Sequence, residues 1–386
     1  MRIVDTTKRY GGDCLKILSL TNEFENESFG GAGTAATGIV HMLDSMGVQQ
    51  TVIVPRSDWN VPGWAFLGQQ IKVLGLPRNS HYFGYLGMIK ADVVCQEFPE
   101  ICQGWDVIHS HAINFTPLAY TLSQGVVPIF YSVYSFLRKE LGDSSDQELQ
   151  AQFKIQEELL MRCQRIQIIS QSERQYLASR FPEYLSKAEV LPLGITIPAE
   201  RWQQGRMNEF LYVGRLFDYK GIEDLIKAVS IRKRSGRQIH LNIVGKGTES
   251  YEGLLRQLVR SLKLEAYVHF HGRLSSLEVR QWMAHSTALV VPSRREAYGL
   301  VALEGMAMGT PIIASNAGGL AEIVPNACAL TFEVGNVAQL SEALANLIDN
   351  PSLQKSLSIR GHQNALRFEW CQLAARYLTL LEGIRH

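Results

Sequence analysis

The chain of 386 residues carries 38 lysine and arginine side chains against 37 aspartate and glutamate side chains, a formal net charge of +1. This even balance creates no overall field that would hold nucleic acid, so a nucleic-acid partner is not expected. The length is enough for two domains that each bury a core. The six cysteines form no Cys-x-x-Cys pair, which predicts reduced, mostly buried thiols and no zinc site.

Residues 1–13 are polar and contain two consecutive glycines, which predicts an extension ahead of the fold. They lack the apolar run of a signal peptide, and no later segment is apolar over the length of a bilayer. These features predict a cytoplasmic protein.

Strands and helices alternate in the first half of the chain. Residues 14–20 predict a strand, the glycine-rich run from Gly30 to Gly33 leads into a predicted helix over 34–46, and residues 51–54 predict the next strand. Further β-branched runs lie at 106–109, 126–131, 166–170 and 188–191. This alternation is typical of a doubly wound parallel sheet and predicts a first α/β domain over residues 14–200.

A polar stretch with proline and glycine over residues 198–208 interrupts the alternation and predicts a domain boundary. The pattern then resumes in a second predicted domain over residues 201–369. Its predicted strands are 210–213, 239–244, 267–270, 288–291, 311–314 and 329–332. Each domain is expected to be Rossmann-like, with its ligand-binding loops at the carboxyl ends of the strands.

Two acids lie in the stretch from Val291 to Pro311. Glu296 falls in a predicted loop, and Glu304 lies in a predicted helix whose other residues are small or apolar. A carboxylate in such a helix needs hydrogen-bond donors or a ligand to offset its loss of hydration. The helix start should also present the free N–H groups of Tyr298, Gly299 and Leu300, which suit a phosphate or a sugar oxygen. Taken singly, each acid also fits an ordinary loop or buried acid.

Two cations follow the first strand of the second domain. Arg215 and Lys220 lie in Gly-Arg-Leu-x-x-x-Lys-Gly, at the entry to a predicted helix. They have the charge needed to neutralise a departing diphosphate, with arginine as a bidentate donor and lysine as a point charge. The alternative is a surface ion pair with Asp218 or Asp224.

Three further strand ends carry candidate residues. Gly30 and Gly31 precede the first helix and would let a diphosphate approach the backbone closely. Gly245 follows a strand of the second domain and is a weak signal when taken alone. His111 ends the strand that begins near residue 106. For the neighbouring His109, an ordinary hydrogen-bonded role is preferred.

Taken together, these motifs resemble one known signature. Glu296-Ala-Tyr-Gly299 followed by Glu304, then Gly309-Thr-Pro311 and Gly318-Gly-Leu-Ala-Glu322, is similar to the two-glutamate motif of the retaining nucleotide-sugar glycosyltransferases of the GT-B fold. This group 1 family includes sucrose synthases and bacterial mannosyl- and glucosyltransferases. The resemblance implies two Rossmann-like domains facing across a cleft, with a closing helix over about 370–386 that returns to the first domain.

The family pattern also implies roles for individual residues. Glu304 would hold the ribose hydroxyls, and Glu296 would bind the transferred sugar. His111 would face the donor sugar, while Arg215 and Lys220 would stabilise the leaving diphosphate. The remaining donor-binding positions implied are Gly30, Gly31, Gly245, Tyr298, Gly299 and Leu300.

The chain departs from the common pattern at several positions. Tyr134 stands where many relatives have histidine, Tyr298 replaces phenylalanine, and Thr248 replaces the proline of a Gly-x-Gly-Pro loop. These changes lie mainly at positions on the acceptor or hinge side. They leave the identity of the acceptor open.

The resemblance implies a retaining hexosyltransferase that uses neither a metal ion nor a cofactor. A UDP-sugar is the expected donor, with a GDP-sugar as the alternative, and the acceptor is a hydroxyl in polysaccharide, glycolipid or glycoside biosynthesis. Peripheral contact with the inner face of a membrane is compatible with such a role. A phosphorylase or isomerase of the same fold would need other motifs. A catalytically silent sugar-nucleotide-binding or scaffold subunit is the remaining alternative, although such subunits usually lose one of the glutamates or cations.

Overall fold

The computed structural model describes residues 14–25, 30–203, 208–236 and 238–384. The predicted extension over residues 1–13 lies outside the described residues. Two compact units divide the chain, the first reaching Gly194 and taking in the residues from Trp370 onward, the second running from Ile195 to Glu369. The boundary expected after residue 200 lies a few residues beyond Gly194.

The first unit contains a large sheet with helices between its strands. In chain order its elements are β1 (Lys16–Leu20), α1 (Gly31–Ser45), β2 (Gln49–Arg56), β3 (Gly63–Leu67), β4 (Ile71–Pro77), α2 (Ala91–Glu97), β5 (Val107–Ser110), α3 (Thr116–Ser123), β6 (Ile129–Val133), α4 (Leu137–Leu141), α5 (Gln147–Arg162), β7 (Arg165–Ile168), α6 (Gln171–Arg180) and β8 (Ala188–Val190). The strand order is β3-β4-β2-β1-β5-β6-β7-β8, and every neighbouring pair is parallel except β3 with β4.

The second unit repeats this architecture with a smaller sheet. Its elements are β9 (Glu209–Val213), α7 (Ile222–Arg234), β10 (His240–Val244), α8 (Glu249–Ser261), β11 (Val268–Gly272), α9 (Ser276–His285), β12 (Ala288–Val291), α10 (Leu300–Met308), β13 (Ile312–Ser315), α11 (Leu320–Ile323), β14 (Leu330–Phe332), α12 (Val337–Asp349) and α13 (Pro351–Ala365). The all-parallel strand order is β11-β10-β9-β12-β13-β14. The last helix, α14 (Trp370–Glu382), belongs to the first unit.

The first sheet is covered on both faces, as its sequence predicts. Leu18 and Leu20 of β1 pack into one apolar cluster with α3 and α5, whereas Ile17 packs into another with α1 and α14. A central parallel strand buried on both faces needs such a continuous apolar run. The predicted α/β class with two doubly wound parallel sheets is therefore confirmed.

The edge hairpin β3–β4 was not predicted. These strands pair antiparallel around a turn at Gly68, whose φ is +58°. No strand was predicted over residues 63–77; β3 has no fully buried residue, and its Phe66 is 72% exposed. An edge strand of this kind shows little of the hydrophobic alternation by which strands are found in a sequence.

Two other observations bear on the predictions from composition. All six cysteines are free, but only Cys163 and Cys328 are buried, so the expectation of mostly buried thiols is wrong. Cys14 precedes β1 and Cys371 lies on an outer face of α14, where both are exposed. Within the described part of the chain, no helix is both long and apolar enough to cross a bilayer.

Candidate functional site

Three loops of the second unit, each at the carboxyl end of a strand, are joined by hydrogen bonds. The backbone N–H of Arg294, after β12, donates to the carbonyl of Tyr219, after β9, at 2.7 Å. The backbone N–H of Gly319, after β13, donates to the carbonyl of Glu296 at 2.9 Å. Because β9, β12 and β13 are neighbours, these loops form one connected surface at the edge where open parallel sheets bind ligands.

Lys220 and Glu296 meet on this surface. The Lys220 ammonium lies 2.8 Å from Oε2 of Glu296, and their side chains are 15% and 13% exposed. The hydroxyl of Ser293 donates to the same oxygen at 2.9 Å. The alternative pairing of Lys220 with Asp218 or Asp224 is not observed. The structure therefore brings together a cation and an acid that lie 76 residues apart in the sequence.

Several cations gather around the buried ring of Tyr219. The guanidinium of Arg215 donates to the Tyr219 hydroxyl at 3.2 Å and lies 5.2 Å from the centre of the Phe217 ring. The Lys220 ammonium and the Arg295 guanidinium lie 5.3 and 5.5 Å from the centre of the Tyr219 ring. Cations at such distances are attracted by the negative face of an aromatic ring. The aromatic side chains thus hold positive charge at the ends of the strands.

Arg294, beside this cluster, pairs with a buried acid. Its guanidinium donates two hydrogen bonds to the Asp224 carboxylate, at 2.9 and 2.8 Å, and Asp224 is only 5% exposed. These hydrogen bonds raise the pKa of Arg294. The pair ties the loop after β12 to helix α7. Sequence reasoning missed both arginines of the acid motif, although the two consecutive arginines before Glu296 were a signal for them.

Close backbone packing explains two of the predicted glycines. Gly245 has a φ of +142°, and a Cβ atom there would lie 1.8 Å from the carbonyl oxygen of Gly214. Gly299 has a φ of +96°, and a Cβ atom there would lie 2.5 Å from the Leu320 side chain. Both conformations are unfavourable for residues with a side chain. These glycines let the strand-end loops approach one another closely.

The start of helix α10 differs slightly from the prediction. Gly299 is the N-cap, and the N–H groups of Ala302 and Leu303 both donate to its carbonyl. The N–H groups of Leu300 and Val301 have no backbone acceptor within the described part of the chain. Leu300 belongs to the predicted set of Tyr298, Gly299 and Leu300, whereas Val301 was not predicted.

Glu304 lies four residues further along the same helix and is partly buried. Its carboxylate makes no hydrogen bond or ion pair with another residue of the described ranges. Loss of hydration raises its pKa to about 7, an effect that the charge of Arg280 opposes. A raised pKa of this kind marks a candidate for ligand contact.

In the first unit, His109 and His111 lie at the carboxyl end of β5 with their ring centres 3.8 Å apart. His109 is fully buried, and its Nε2 lies 2.7 Å from the Ser132 hydroxyl. His111 is 6% exposed; its Nδ1 lies 2.6 Å from the Tyr134 hydroxyl, and its Nε2 has no partner among the described residues. Burial lowers the pKa of His111 to about 3, so both imidazoles are neutral near pH 7.

The glycine-rich turn of the first unit is arranged differently from the prediction. Helix α1 begins at Gly31, three residues earlier than expected, and Gly30 is its N-cap. The N–H of Gly30 already donates to the Glu23 carboxylate at 3.1 Å. A phosphate at this helix start would therefore have to displace Glu23.

The described residues contain no group of three or more histidine, cysteine, aspartate or glutamate side chains that could hold a metal ion.

Family models match both parts of the chain. Residues 197–364 match the model described as "Glycosyl transferases group 1", and residues 29–197 match "Glycosyltransferase Family 4". Each half of the chain thus matches a glycosyltransferase family, and the two doubly wound units have the GT-B fold.

Individual proteins show the same relationship. The chain is 33% identical to a glycogen synthase of Mycobacterium tuberculosis over 210 residues, which are 51% of this chain and 50% of that protein. The chain spans about half the length of such curated relatives, 56% and 50% in two cases.

Solved structures are similar over nearly the full length. The sucrose-phosphate synthase of Thermosynechococcus elongatus has a TM-score of 0.78 at 20% identity, covering 96% of this chain and 99% of that one. HepE of Anabaena, solved in complex with UDP-glucose, has a TM-score of 0.74 at 19% identity, covering 96% and 100%.

Proposed function

We propose that this chain is a retaining, metal-independent glycosyltransferase that moves a hexose from a UDP-sugar to an acceptor hydroxyl. The observation that carries the proposal is the Lys220–Glu296 ion pair at the carboxyl ends of β9 and β12, beside Arg215. A cation for a diphosphate and an acid for sugar hydroxyls are thus held together. The UDP-glucose bound to the structurally similar HepE supports the choice of donor.

The leaving group dictates what these residues would do. Breaking the bond between the anomeric carbon and the phosphate oxygen moves an electron pair onto the diphosphate. Arg215 and Lys220 would stabilise that charge, together with the N–H groups at the start of α10. In the retaining mechanism implied by the family, the acceptor hydroxyl attacks from the same face, and the departing phosphate oxygen takes its proton. No separate protein base is then required.

Glu304 and Glu296 would hold the two ends of the donor. The Glu304 carboxylate, which has no partner among the described residues, would accept hydrogen bonds from the ribose hydroxyls. Glu296 would accept from a hydroxyl of the transferred hexose, oriented by Ser293. Binding of the diphosphate would then share the Lys220 ammonium between Glu296 and the phosphate oxygens.

The test is donor turnover and nucleotide binding in the presence of EDTA. Purified protein is incubated with UDP-, GDP- and ADP-sugars, and both slow hydrolysis and protection against thermal unfolding are measured. The proposal expects UDP-sugar turnover by the wild type and much slower turnover by Lys220→Ala or Glu304→Ala. Proton NMR of the product then reads the anomeric configuration. Binding without any turnover would instead favour a catalytically silent sugar-nucleotide-binding subunit, and no binding at all would overturn both.

A further inference from the structure

One contact in the first unit is not used by the proposed mechanism. Tyr134 follows β6, and its hydroxyl lies 2.6 Å from Nδ1 of His111, with the two rings nearly parallel at 17°. His111 is 94% buried, yet its Nε2 has no partner among the described residues. Buried polar atoms are nearly always hydrogen-bonded, so an unpaired one requires an explanation.

Hydrogen positions around the neighbouring His109 follow from its partners. The side-chain nitrogen of Gln167 donates to the carbonyl of Leu191 at 2.8 Å, so its amide oxygen faces Ser132. That oxygen can only accept, and the Ser132 hydroxyl donates to it at 2.6 Å. In the 2.7 Å contact between Ser132 and His109, Nε2 of His109 must therefore be the donor. His109 is the neutral Nε2–H tautomer.

The same reasoning applies to His111 and Tyr134. A phenol has one hydrogen, and an imidazole nitrogen is a stronger acceptor than a phenolic oxygen. The Tyr134 hydroxyl lies 2.6 Å from Nδ1 of His111, and the Ser132 hydroxyl is its other polar neighbour. The hydroxyl of the nearby Ser132 donates to Gln167, so it does not supply a hydrogen to Tyr134. Since the buried imidazole is neutral, donation by Tyr134 to Nδ1 places the single ring hydrogen on Nε2.

We propose that Tyr134 is a positioning residue for His111. Its hydroxyl fixes the ring as the Nε2–H tautomer and so makes Nε2–H a donor to a hydroxyl oxygen of a sugar substrate. This role rests on the proposed function, because it takes the substrate to be a sugar. A neutral hydrogen-bond donor in a site poor in water suits an uncharged hydroxyl oxygen as its acceptor. That hydroxyl belongs either to the hexose of the sugar nucleotide or to an acceptor sugar.

The tautomer is measured first, in ligand-free protein. Nitrogen-15 NMR of the full chain with labelled histidine reports which ring nitrogen carries hydrogen, and a His111→Gln variant identifies the signals. The wild type is expected to show hydrogen on Nε2 of His111, and Tyr134→Phe a mixture of both tautomers. Tyr120→Phe is the control. It also removes a buried tyrosine hydroxyl, but this hydroxyl lies on helix α3 and, unlike that of Tyr134, has no hydrogen-bond partner among the described residues. Hydrogen on Nδ1 of wild-type His111 would overturn the proposal.

The sugar contact is tested with the same labelled protein. Movement of the His111 Nε2 signal with UDP-glucose but not with UDP identifies the hexose of the donor as the partner. Movement with free glucose alone identifies an acceptor sugar. No movement with either sugar, while UDP-glucose stabilises the protein against unfolding, contradicts the contact. If UDP-glucose does not bind at all, the proposed function fails, whereas the tautomer measurement still decides the role of Tyr134.

Turnover provides the second readout. Tyr134→Phe is expected to lower kcat for UDP-glucose about ten- to a hundredfold, while the Kd for UDP stays within about twofold. Tyr120→Phe should leave both unchanged. A purely structural role for Tyr134 predicts an equal loss in UDP affinity and turnover, and that result would rule out the positioning role.

Discussion

The end of β5 in the first unit and the ends of β9 and β12 in the second carry different kinds of polar group. In the second unit, the charges beyond β9 and β12 are already paired, Lys220 with Glu296 and Asp224 with Arg294. In the first unit, the end of β5 holds neutral, buried imidazoles, and His111 keeps one ring nitrogen without a partner in the described ranges. The first unit also has an ion pair, Lys139 with Glu173, beyond β6 and β7, so the contrast lies between these particular strand ends.

The proposed function accounts for this difference through the two halves of a sugar nucleotide. A diphosphate is anionic, and fixed cations stabilise it best when neighbouring acids and aromatic rings hold them in place. A hexose is uncharged and is recognised by hydrogen bonds from groups that need not carry charge. Pairing keeps the cations of the second unit ordered before ligand binding, whereas the first unit leaves a donor unsatisfied until a ligand arrives.

The largest expected loss of stability comes from a change at Gly245, where the backbone brings two strand-end loops together. In Gly245→Ala, the new Cβ would lie 1.8 Å from the Gly214 carbonyl oxygen at a φ of +142°. We expect a loss of stability of about 4 kcal/mol or more, with UDP binding below detection by calorimetry. Gly253→Ala in helix α8 is the control, because no atom lies within 4 Å of its added Cβ. It should leave UDP binding intact and slightly raise the unfolding temperature.

The next effect concerns the ion pair of Asp224 and Arg294. Arg294→Met leaves the buried Asp224 carboxylate without its partner, and because the Arg294 side chain is 36% exposed the expected loss of stability is about 1–3 kcal/mol. The double variant Asp224→Asn/Arg294→Met removes the uncompensated charge and should recover most of that loss in thermal unfolding. Equal unfolding temperatures for the single and double variants would show that the pair does not support the loop.

Lys220→Ala tests the charge offered to the diphosphate. It removes one of the cations on the Tyr219 ring and the ion-pair partner of Glu296. We expect kcat for UDP-glucose to fall about 10²- to 10³-fold, the usual cost of losing one group that stabilises developing negative charge. Lys227→Ala, on the exposed side of α7, is the matched control and should retain wild-type turnover. A similar loss in both variants would indicate a general electrostatic effect.

The smallest effect is a pH dependence from Glu304. Its pKa rises from 4.5 to about 7 on folding. Its favourable contribution to the free energy of unfolding is therefore complete below pH 4.5 and is lost as pH rises through 7. Between pH 5 and 8 the wild type should therefore lose about 1–3 kcal/mol relative to Glu304→Gln, measured by thermal unfolding of both proteins. The exposed Glu342→Gln should follow the wild type. Parallel curves for all three proteins would show that Glu304 ionises normally.

Much of the fold could be predicted from the sequence, because buried parallel strands leave continuous apolar runs such as Ala288–Val291. The edge strand β3 could not, since none of its residues is fully buried. The alternation of strands and helices placed Lys220 and Glu296 in loops at strand ends of the second domain. It did not reveal that Arg294 reaches Asp224 or that Glu23 takes the N–H of Gly30, because such pairings depend on side-chain directions that only the folded backbone sets.

The comparison of the two units is tested most directly by UDP affinity and UDP-glucose turnover, both measured for His111→Asn and Lys220→Ala. The account predicts that Lys220→Ala weakens UDP binding and lowers turnover, because it removes charge from the diphosphate. His111→Asn should lower turnover while the Kd for UDP stays within about twofold of the wild type, because a neutral donor to a sugar contributes nothing to UDP. A loss of UDP affinity in His111→Asn as large as that in Lys220→Ala would contradict the division between the charged loops after β9 and β12 and the neutral histidines at the end of β5.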